Sequence, residues 1–132
     1  QAAPSITPRA IARVDGETVV MTVAIDTAGA VGPVGSTTGR LVYDSTAMQF
    51  ESETMVSDGT LRAVNGTVAG VVRFAAAAAS GINLRRVAEF RFHLSRPDAI
   101  GAVSLSLEEV HETSRVNLTA AARRSSAVEI RP

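Results

Sequence analysis

Apolar and polar residues alternate with a period of two along most of this chain, which is the pattern of strands with one buried face. The clearest examples are residues 18–25 and residues 87–94. In each segment every second side chain is apolar, as with Phe90 and Phe92 in the later one. We expect the apolar faces of these strands to line a common core.

A tight turn at Asp44 separates two of the predicted strands. Leu41 and Tyr43 alternate before it, and Met48 and Phe50 resume the alternation after it. A short carboxylate can accept hydrogen bonds from the backbone N–H groups that follow it, which starts a turn. The sequence therefore predicts a strand–turn–strand corner whose four apolar side chains converge on the core.

Turn signals divide the rest of the chain into short strands. Asp-Gly at 15–16 and Asn-Gly at 65–66 are dipeptides typical of hairpin turns, and another turn is predicted around residues 96–101. The alanine run at 75–79 favours a helix by propensity, but Ser-Gly ends it at once, so we predict a strand and then a loop. Residues 116–121 are ambiguous. The predicted strands cover residues 10–14, 18–25, 36–43, 51–56, 60–64, 68–76, 87–94, 102–110 and 127–130. About nine strands without a long helix predict an all-β sandwich.

Composition narrows the function classes. The chain has 132 residues, which fits one domain, and its 13 basic and 13 acidic residues give a net charge of zero. A neutral, dispersed pattern argues against non-specific binding to nucleic acids or to acidic membranes. All basic residues are arginine, and there is no cysteine, so a thiol nucleophile and a cysteine-ligated metal are excluded.

Residues 1–9 carry Pro4 and Pro8 among small polar residues, and we interpret them as an extended arm or linker before a domain at 10–132. Such an arm could contact a neighbouring subunit, in which case its removal would weaken assembly and leave the fold intact. The first five residues are typical of what a signal peptidase leaves behind, which favours an exported protein; a trimmed chain is the alternative.

No motif of the chain predicts catalysis. His111 lies near Glu109 and Glu112 and could hold a metal only with a further ligand from elsewhere, so we expect no metal and no cofactor. His93 is expected at the surface. No serine lies in a Gly-x-Ser-x-Gly motif, and the aspartates at strand ends, such as Asp58, are better interpreted as turn caps than as calcium ligands. We expect no enzymatic activity.

Residues 14–23 form a glycine-centred turn that leads into a strand rich in threonine and valine. Residues 41–50 resemble the Tyr-Asp-Pro-x-x-Leu-x-Phe-like corner of cohesin modules, with Ser45 in place of the proline and Met48 in place of the leucine. Together with the order of the later strands, these stretches make residues 10–130 resemble a cohesin. The resemblance implies a jelly-roll β-sandwich that acts as a binding module.

Cohesins bind a partner module, dockerin, with one flat sheet face. The resemblance implies that the matching strands here are residues 36–42 and 71–77, and that a protein partner, either a dockerin-like module or a subunit of a larger complex, docks on their outward side chains. The implied partner-binding residues are Ser36, Thr38, Arg40, Val71, Arg73 and Ala75. An ordinary solvated sheet face is the alternative for these positions. Arginine is enriched at protein interfaces because its planar fork pairs with carboxylates.

Two further expectations complete this interpretation. The module would belong to an exported bacterial complex, in the periplasm or at the cell surface, as an accessory subunit. The alternative function is a carbohydrate-binding module, because the same jelly-roll scaffold carries that activity. Such modules typically present a strip of exposed aromatic residues, whereas this chain has one tyrosine, four phenylalanines and no tryptophan. Tyr43 is expected in the core, so we favour the protein partner.

Overall fold

The computed structural model of the chain describes residues 3–54, 58–96, 100–125 and 128–131. Nine strands and a single 3-10 turn lie among these residues, and none of the described segments is a helix that could cross a membrane. The strands are β1 (Ser5–Asp15), β2 (Thr18–Ala28), β3 (Val34–Tyr43), β4 (Met48–Glu53), β5 (Leu61–Asn65), β6 (Val71–Ala77), β7 (Ala88–Leu94), β8 (Val103–Glu112) and β9 (Val128–Arg131), and the 3-10 turn is Thr119–Ala121.

The strands form two sheets that face each other across one core. The five-stranded sheet has the order β4-β7-β2-β1-β9, and the four-stranded sheet has the order β5-β6-β3-β8. Neighbouring strands are antiparallel except for β1 and β9, which are parallel. The all-β sandwich that the alternation predicted is therefore confirmed, and so is the end of the alanine-rich strand, because β6 stops at Ala77.

The predicted corner carries the chain from one sheet to the other. Asp44 Oδ1 accepts hydrogen bonds from Thr46 N at 2.9 Å and from Thr46 Oγ1 at 2.6 Å. These hydrogen bonds lower the pKa of Asp44. Leu41 and Met48 are fully buried on either side of the turn, and Tyr43 is 7% exposed. The corner thus joins β3 to β4 while it keeps the apolar side chains of both strands in the core.

All of the chain's aromatic residues, one tyrosine and four phenylalanines, meet in this core. Tyr43 of β3 contacts Phe92 of β7 edge-to-face, with ring centroids 5.0 Å apart, and Phe74 of β6 lies 6.0 Å from Phe90. Phe50 of β4 packs edge-to-face against Phe92 at 5.8 Å. The first two pairs join the two sheets, and such pairs contribute about 0.5–1.5 kcal/mol each beyond their area burial. We refer to these five residues as the aromatic cluster.

Residues 5–9 of the predicted arm at 1–9 belong to a strand of the domain instead. β1 begins at Ser5, which pairs with Ala28, and Ile6 is fully buried. The alternation of β1 therefore starts five residues before the predicted domain boundary. Pro8 is compatible with this strand because it lies in the part of β1 that β9 does not cover, since β9 pairs with β1 only from Ala10 onward. Proline is tolerated in a strand where a neighbouring strand does not need its missing N–H donor. Deletion of residues 1–9 would consequently remove core and sheet contacts.

The hairpin predicted at residues 65–66 exists, but its turn is different. Asn65 pairs with Arg73, so seven residues separate the paired positions instead of two. Gly66 lacks the positive φ that an Asn-Gly hairpin turn requires, and a side chain there would collide with the ring of Phe50. This glycine permits close packing against the aromatic cluster, and the Asn65 side chain caps the loop by accepting the Thr67 N–H at 3.0 Å.

Smaller differences concern segment ends. Residues 55 and 56 of the strand predicted at 51–56, residues 97–99 of the predicted turn, and residue 127 of the last predicted strand lie outside the described residues. The first of these strands is β4, which begins earlier, at Met48. The ambiguous segment 116–121 ends in the 3-10 turn. These shifts leave the order of the elements unchanged.

A variant of the buried residue Ile6 distinguishes a strand of the domain from a detached arm. We expect Ile6→Ala to reduce the free energy of unfolding by about 2–5 kcal/mol, because it removes a fully buried side chain and leaves a cavity. Thr7→Ala, on the outward face of the same strand, should change it by no more than about 0.5 kcal/mol. Urea denaturation followed by circular dichroism measures the free energy of unfolding of both variants. Equal small effects would support the arm interpretation instead of the strand.

Candidate functional site

The six residues predicted to bind a partner lie together on one face of the four-stranded sheet. Thr38 is opposite Ala75 and Arg40 is opposite Arg73 in the register of β3 and β6. Ser36 and Val71 lie at the two ends of the same pair of strands, opposite Ala77 and Val42. The intervening residues of these strands, Thr37, Leu41, Val72 and Phe74, are buried. We call the outward side of β5, β6, β3 and β8 the docking face, after the binding role that the resemblance to cohesins predicts for it.

Small apolar side chains occupy much of the docking face. Leu61 of β5 is 77% exposed and Val42 of β3 is 40% exposed. Leu61 pairs with Ala77 of β6, and the next outward pair on the same two strands is Ala63 with Ala75. Because alanine side chains are short, the backbone of the sheet lies close to the surface along this band. The partner-binding residues predicted from the sequence did not include any from β5. Alternation along this strand, which places residues 61, 63 and 65 on one face, was sufficient to predict them.

Two arginines occupy the middle of the docking face. Arg40 and Arg73 are direct cross-strand neighbours, an arrangement in which like charges repel. Arg73 has an ion pair with Glu108 at 3.0 Å, but both side chains are about half exposed and such pairs are weak. Within the described part of the chain, no carboxylate lies within ion-pair distance of Arg40. The face therefore carries a guanidinium group whose charge is not neutralised.

A β-bulge adds two carboxylates to the docking face. Thr38 pairs with Glu109 and Gly39 pairs with Leu107, so Glu108 is the extra residue and both glutamates are exposed. A Cβ at Gly39 would come within 2.7 Å of the Ser106 carbonyl oxygen, which explains the glycine at this point. Regular alternation along the strand predicted at 102–110 would place Glu108 outward and Glu109 inward. The consecutive polar residues between Leu107 and Val110 were the available signal for the bulge.

The bulge and the apolar band enclose a shallow depression of about 430 Å³. Its lining includes Arg73 and the two bulge glutamates on one side and Ala63 and Ala75 on the other. Side chains of both charges thus stand beside small apolar ones. This arrangement can pair with a partner's carboxylate and accommodate an apolar side chain next to it.

The edge strand of the docking face is held in place by Arg62. Its Nη1 and Nη2 donate hydrogen bonds to the two carboxylate oxygens of Asp58 at 3.0 and 2.9 Å, and its Nε donates to the Val87 carbonyl at 2.9 Å. Only 6% of the Arg62 side chain is exposed. The hydrogen bonds from Arg62 and from the Thr60 N–H hold the pKa of Asp58 well below its usual range. These contacts tie β5 to the segment that precedes β7.

The histidines do not form a catalytic or metal-binding arrangement in the described residues. His111 lies at one end of the docking face, opposite Ser36. The side chain of Glu112 is engaged elsewhere, because it accepts hydrogen bonds from Gly32 N at 2.5 Å and from the Ser114 hydroxyl at 2.9 Å. His93 lies at the surface, 3.8 Å from Glu17. Nowhere in the described ranges do three or more metal-ligand side chains cluster.

No protein-family model matches the sequence, and no curated protein matches it in sequence. The fold, however, is similar to solved cohesin structures. A cohesin module of a family 33 glycoside hydrolase from Clostridium perfringens is 14% identical with a TM-score of 0.68, covering 99% of this chain and 100% of that one. The sixth cohesin of scaffoldin B from Acetivibrio cellulolyticus, solved in complex with a mutant Cel5 dockerin, is 15% identical with a TM-score of 0.66, covering 98% and 100%.

An archaeal structure shares the same fold. A non-cellulosomal cohesin from Archaeoglobus fulgidus is 15% identical with a TM-score of 0.61, covering 98% of this chain and 86% of that one. The chain is therefore a cohesin-like β-sandwich domain, as residues 14–23 and 41–50 predicted. At this level of identity the similarity establishes the fold, while the residues on the docking face are this chain's own.

The ion pair between Arg62 and Asp58 makes the stability of the edge strand β5 depend on pH. The folded-state pKa of Asp58 is depressed, so its stabilising contribution is present above the unfolded value of 3.8 and is lost as the pH falls through the folded value. We expect Asp58→Asn to lower the free energy of unfolding at pH 7 and to lower it less as the pH falls below 3.8. Urea titrations between about pH 7 and pH 3 measure this difference.

The matched variant tests whether Arg62 is the cause. Arg62→Met should destabilise the domain by about 2 kcal/mol, because it removes charged hydrogen bonds to Asp58 and to the carbonyl groups of Val87 and Arg86. In the Arg62→Met background, most of the effect of Asp58→Asn should disappear. Additive effects would show that Asp58 acts through another group.

Proposed function

We propose that this domain is a non-catalytic protein-docking module that binds a partner through the docking face. The observation that carries this proposal is the cross-strand pair of Arg40 and Arg73 in the middle of a partly apolar sheet face. Glu108 already pairs with Arg73, so the remaining repulsion between the two neighbouring guanidinium groups is relieved when a carboxylate of the partner binds Arg40. The Acetivibrio cellulolyticus cohesin with this fold was solved with a dockerin, which supports a protein as the partner.

The chemistry of the face defines the chemistry of the partner. Arg40 and Arg73 favour aspartate or glutamate side chains, because guanidinium pairs with carboxylate through two parallel hydrogen bonds. Leu61 and the neighbouring alanines favour apolar side chains at the rim of that contact. Glu108 reduces the affinity for a purely acidic surface. The partner is thus expected to be a dockerin-like module or another subunit that presents acidic and apolar residues together.

The burial of the aromatic cluster argues against the alternative function, carbohydrate binding. Sugar binding by a flat strip depends on exposed aromatic rings, and all of the chain's aromatic residues pack in the core. A catalytic role also lacks support. The sequence has no cysteine and no nucleophile-elbow motif, and no group of three metal-ligand side chains occurs in the described residues.

The module is proposed to work as one part of a larger exported assembly, in the periplasm or at the cell surface. Domains with this fold are parts of a scaffoldin and of a glycoside hydrolase, which supports a modular role. Cell fractionation of the native host, with an antibody against this chain, tests the compartment. Recovery in the cytoplasmic fraction alone would contradict this part of the proposal.

The docking face is tested with a double variant. The unaltered chain is used as bait in a lysate of the native host, and the captured protein is then purified and titrated against each variant by calorimetry. We expect Arg40→Ala/Arg73→Ala to weaken binding by about 100-fold, because central arginines are common interface hot spots. Circular dichroism should show an unchanged fold.

The matched control alters two arginines on the opposite sheet, Arg13→Ala/Arg91→Ala, and should leave the affinity for the protein partner within about threefold of the original, in line with a surface outside the contact. Equal loss in both double variants would indicate general electrostatic attraction. Full binding by Arg40→Ala/Arg73→Ala would move the site away from the docking face.

A further inference from the structure

The outward side of the five-stranded sheet carries a row of arginines from three different strands. Arg131 of β9 pairs with Arg13 of β1. Arg13 pairs with Val20 of β2, which in turn pairs with Arg91 of β7. Strands in a sheet lie about 4.8 Å apart, so Arg13 and Arg91 flank Val20 at about 10 Å from each other. This row lies on the face of the sandwich opposite the docking face.

The segment before β7 adds two more arginines to the same place. Arg85 and Arg86, together with Arg13, Arg91 and Arg131, line one depression of about 350 Å³. We call it the arginine depression. Glu89 is the carboxylate in its lining, so five guanidinium groups surround one acidic group there.

The described carboxylates neutralise only part of this charge. Glu89 accepts a hydrogen bond from Thr22 Oγ1 at 2.8 Å and lies 3.6 Å from Arg86. Arg131 has an ion pair with Glu129. For Arg13, Arg85 and Arg91, no carboxylate of the described residues lies within ion-pair distance. Three positive charges therefore remain in one concave surface of a protein whose net charge is zero.

A concave surface of one sign of charge concentrates counter-ions, and guanidinium groups bind oxyanions through paired hydrogen bonds. We propose that the arginine depression binds a small ligand with at least two carboxylate, sulfate or phosphate groups, held between Arg13 and Arg91. The volume lies in the range of sites for small molecules. A single-stranded nucleic acid is disfavoured because such sites need aromatic stacking, and every aromatic residue of the chain packs in the core cluster.

Calorimetric titration with three probes at constant ionic strength tests this site. The probes are inorganic pyrophosphate, citrate and digalacturonate, which present phosphates, free carboxylates and sugar-borne carboxylates. We expect at least one probe to bind with a dissociation constant below about 1 mM. Preference for digalacturonate would assign an acidic glycan as the source of the anion, whereas preference for either of the others would assign a free anion.

Two variants with the same change of charge make the test specific. Arg13→Gln/Arg91→Gln should weaken binding of the preferred probe at least 10-fold. Arg40→Gln/Arg73→Gln should retain the affinity for that probe within about twofold. Both double variants lose two positive charges, but only the first alters the arginine depression. Arg13→Lys/Arg91→Lys should give an intermediate affinity, because lysine keeps the charge and lacks the fork.

Some results would overturn the proposal. These are dissociation constants above about 1 mM for all three probes, or equal weakening by the two glutamine double variants, which would indicate only the general electrostatic field. Thermal unfolding of each variant verifies that it is folded. The outcome is independent of the protein partner, because the two sites lie on opposite faces and neither titration uses the other ligand.

Discussion

The contact between the two sheets through the aromatic cluster is the interaction on which the remaining structure depends. Phe90 and Phe92 on β7 meet Phe74 and Tyr43 from the other sheet, with centroids 5.0 to 6.0 Å apart in the pairs that join the sheets. Because side chains alternate along a strand, burial of these rings fixes the direction of their neighbours. Arg91 points outward because it lies between two buried phenylalanines. Both candidate sites are therefore consequences of how the core is packed.

The same cluster also determines the chemistry that remains for recognition. Every aromatic ring of the chain is used in the core, so the surface binds through charge, hydrogen bonding and small apolar side chains. All of its basic residues are arginine, whose fork geometry suits carboxylates and other oxyanions. The two outer faces use this residue differently. The docking face sets Arg40 and Arg73 among alanines, whereas the arginine depression gathers Arg13 and Arg91 in a concave surface.

The sequence by itself was sufficient wherever the determining interactions are local. Period-2 alternation predicted the strands and their buried faces, and the resemblance to cohesins implied that Arg40 and Arg73 share an outward face. The corner at Asp44 was predictable because its hydrogen bonds to Thr46 span two residues. The cohesin-like fold followed from the same stretches. These features depend on backbone propensity and side-chain direction, which neighbouring residues specify.

Only the tertiary structure decided the features that depend on contacts distant in sequence. Ile6 belongs to the core because β1 pairs with β2 as far as Ala28. Gly66 makes room for Phe50 instead of forming a two-residue turn, because that ring reaches it from another sheet. The arginine depression gathers residues 13, 85, 86, 91 and 131, which only the strand order and register bring together. Composition counts such charges, but strand pairing, which is non-local, determines where they meet.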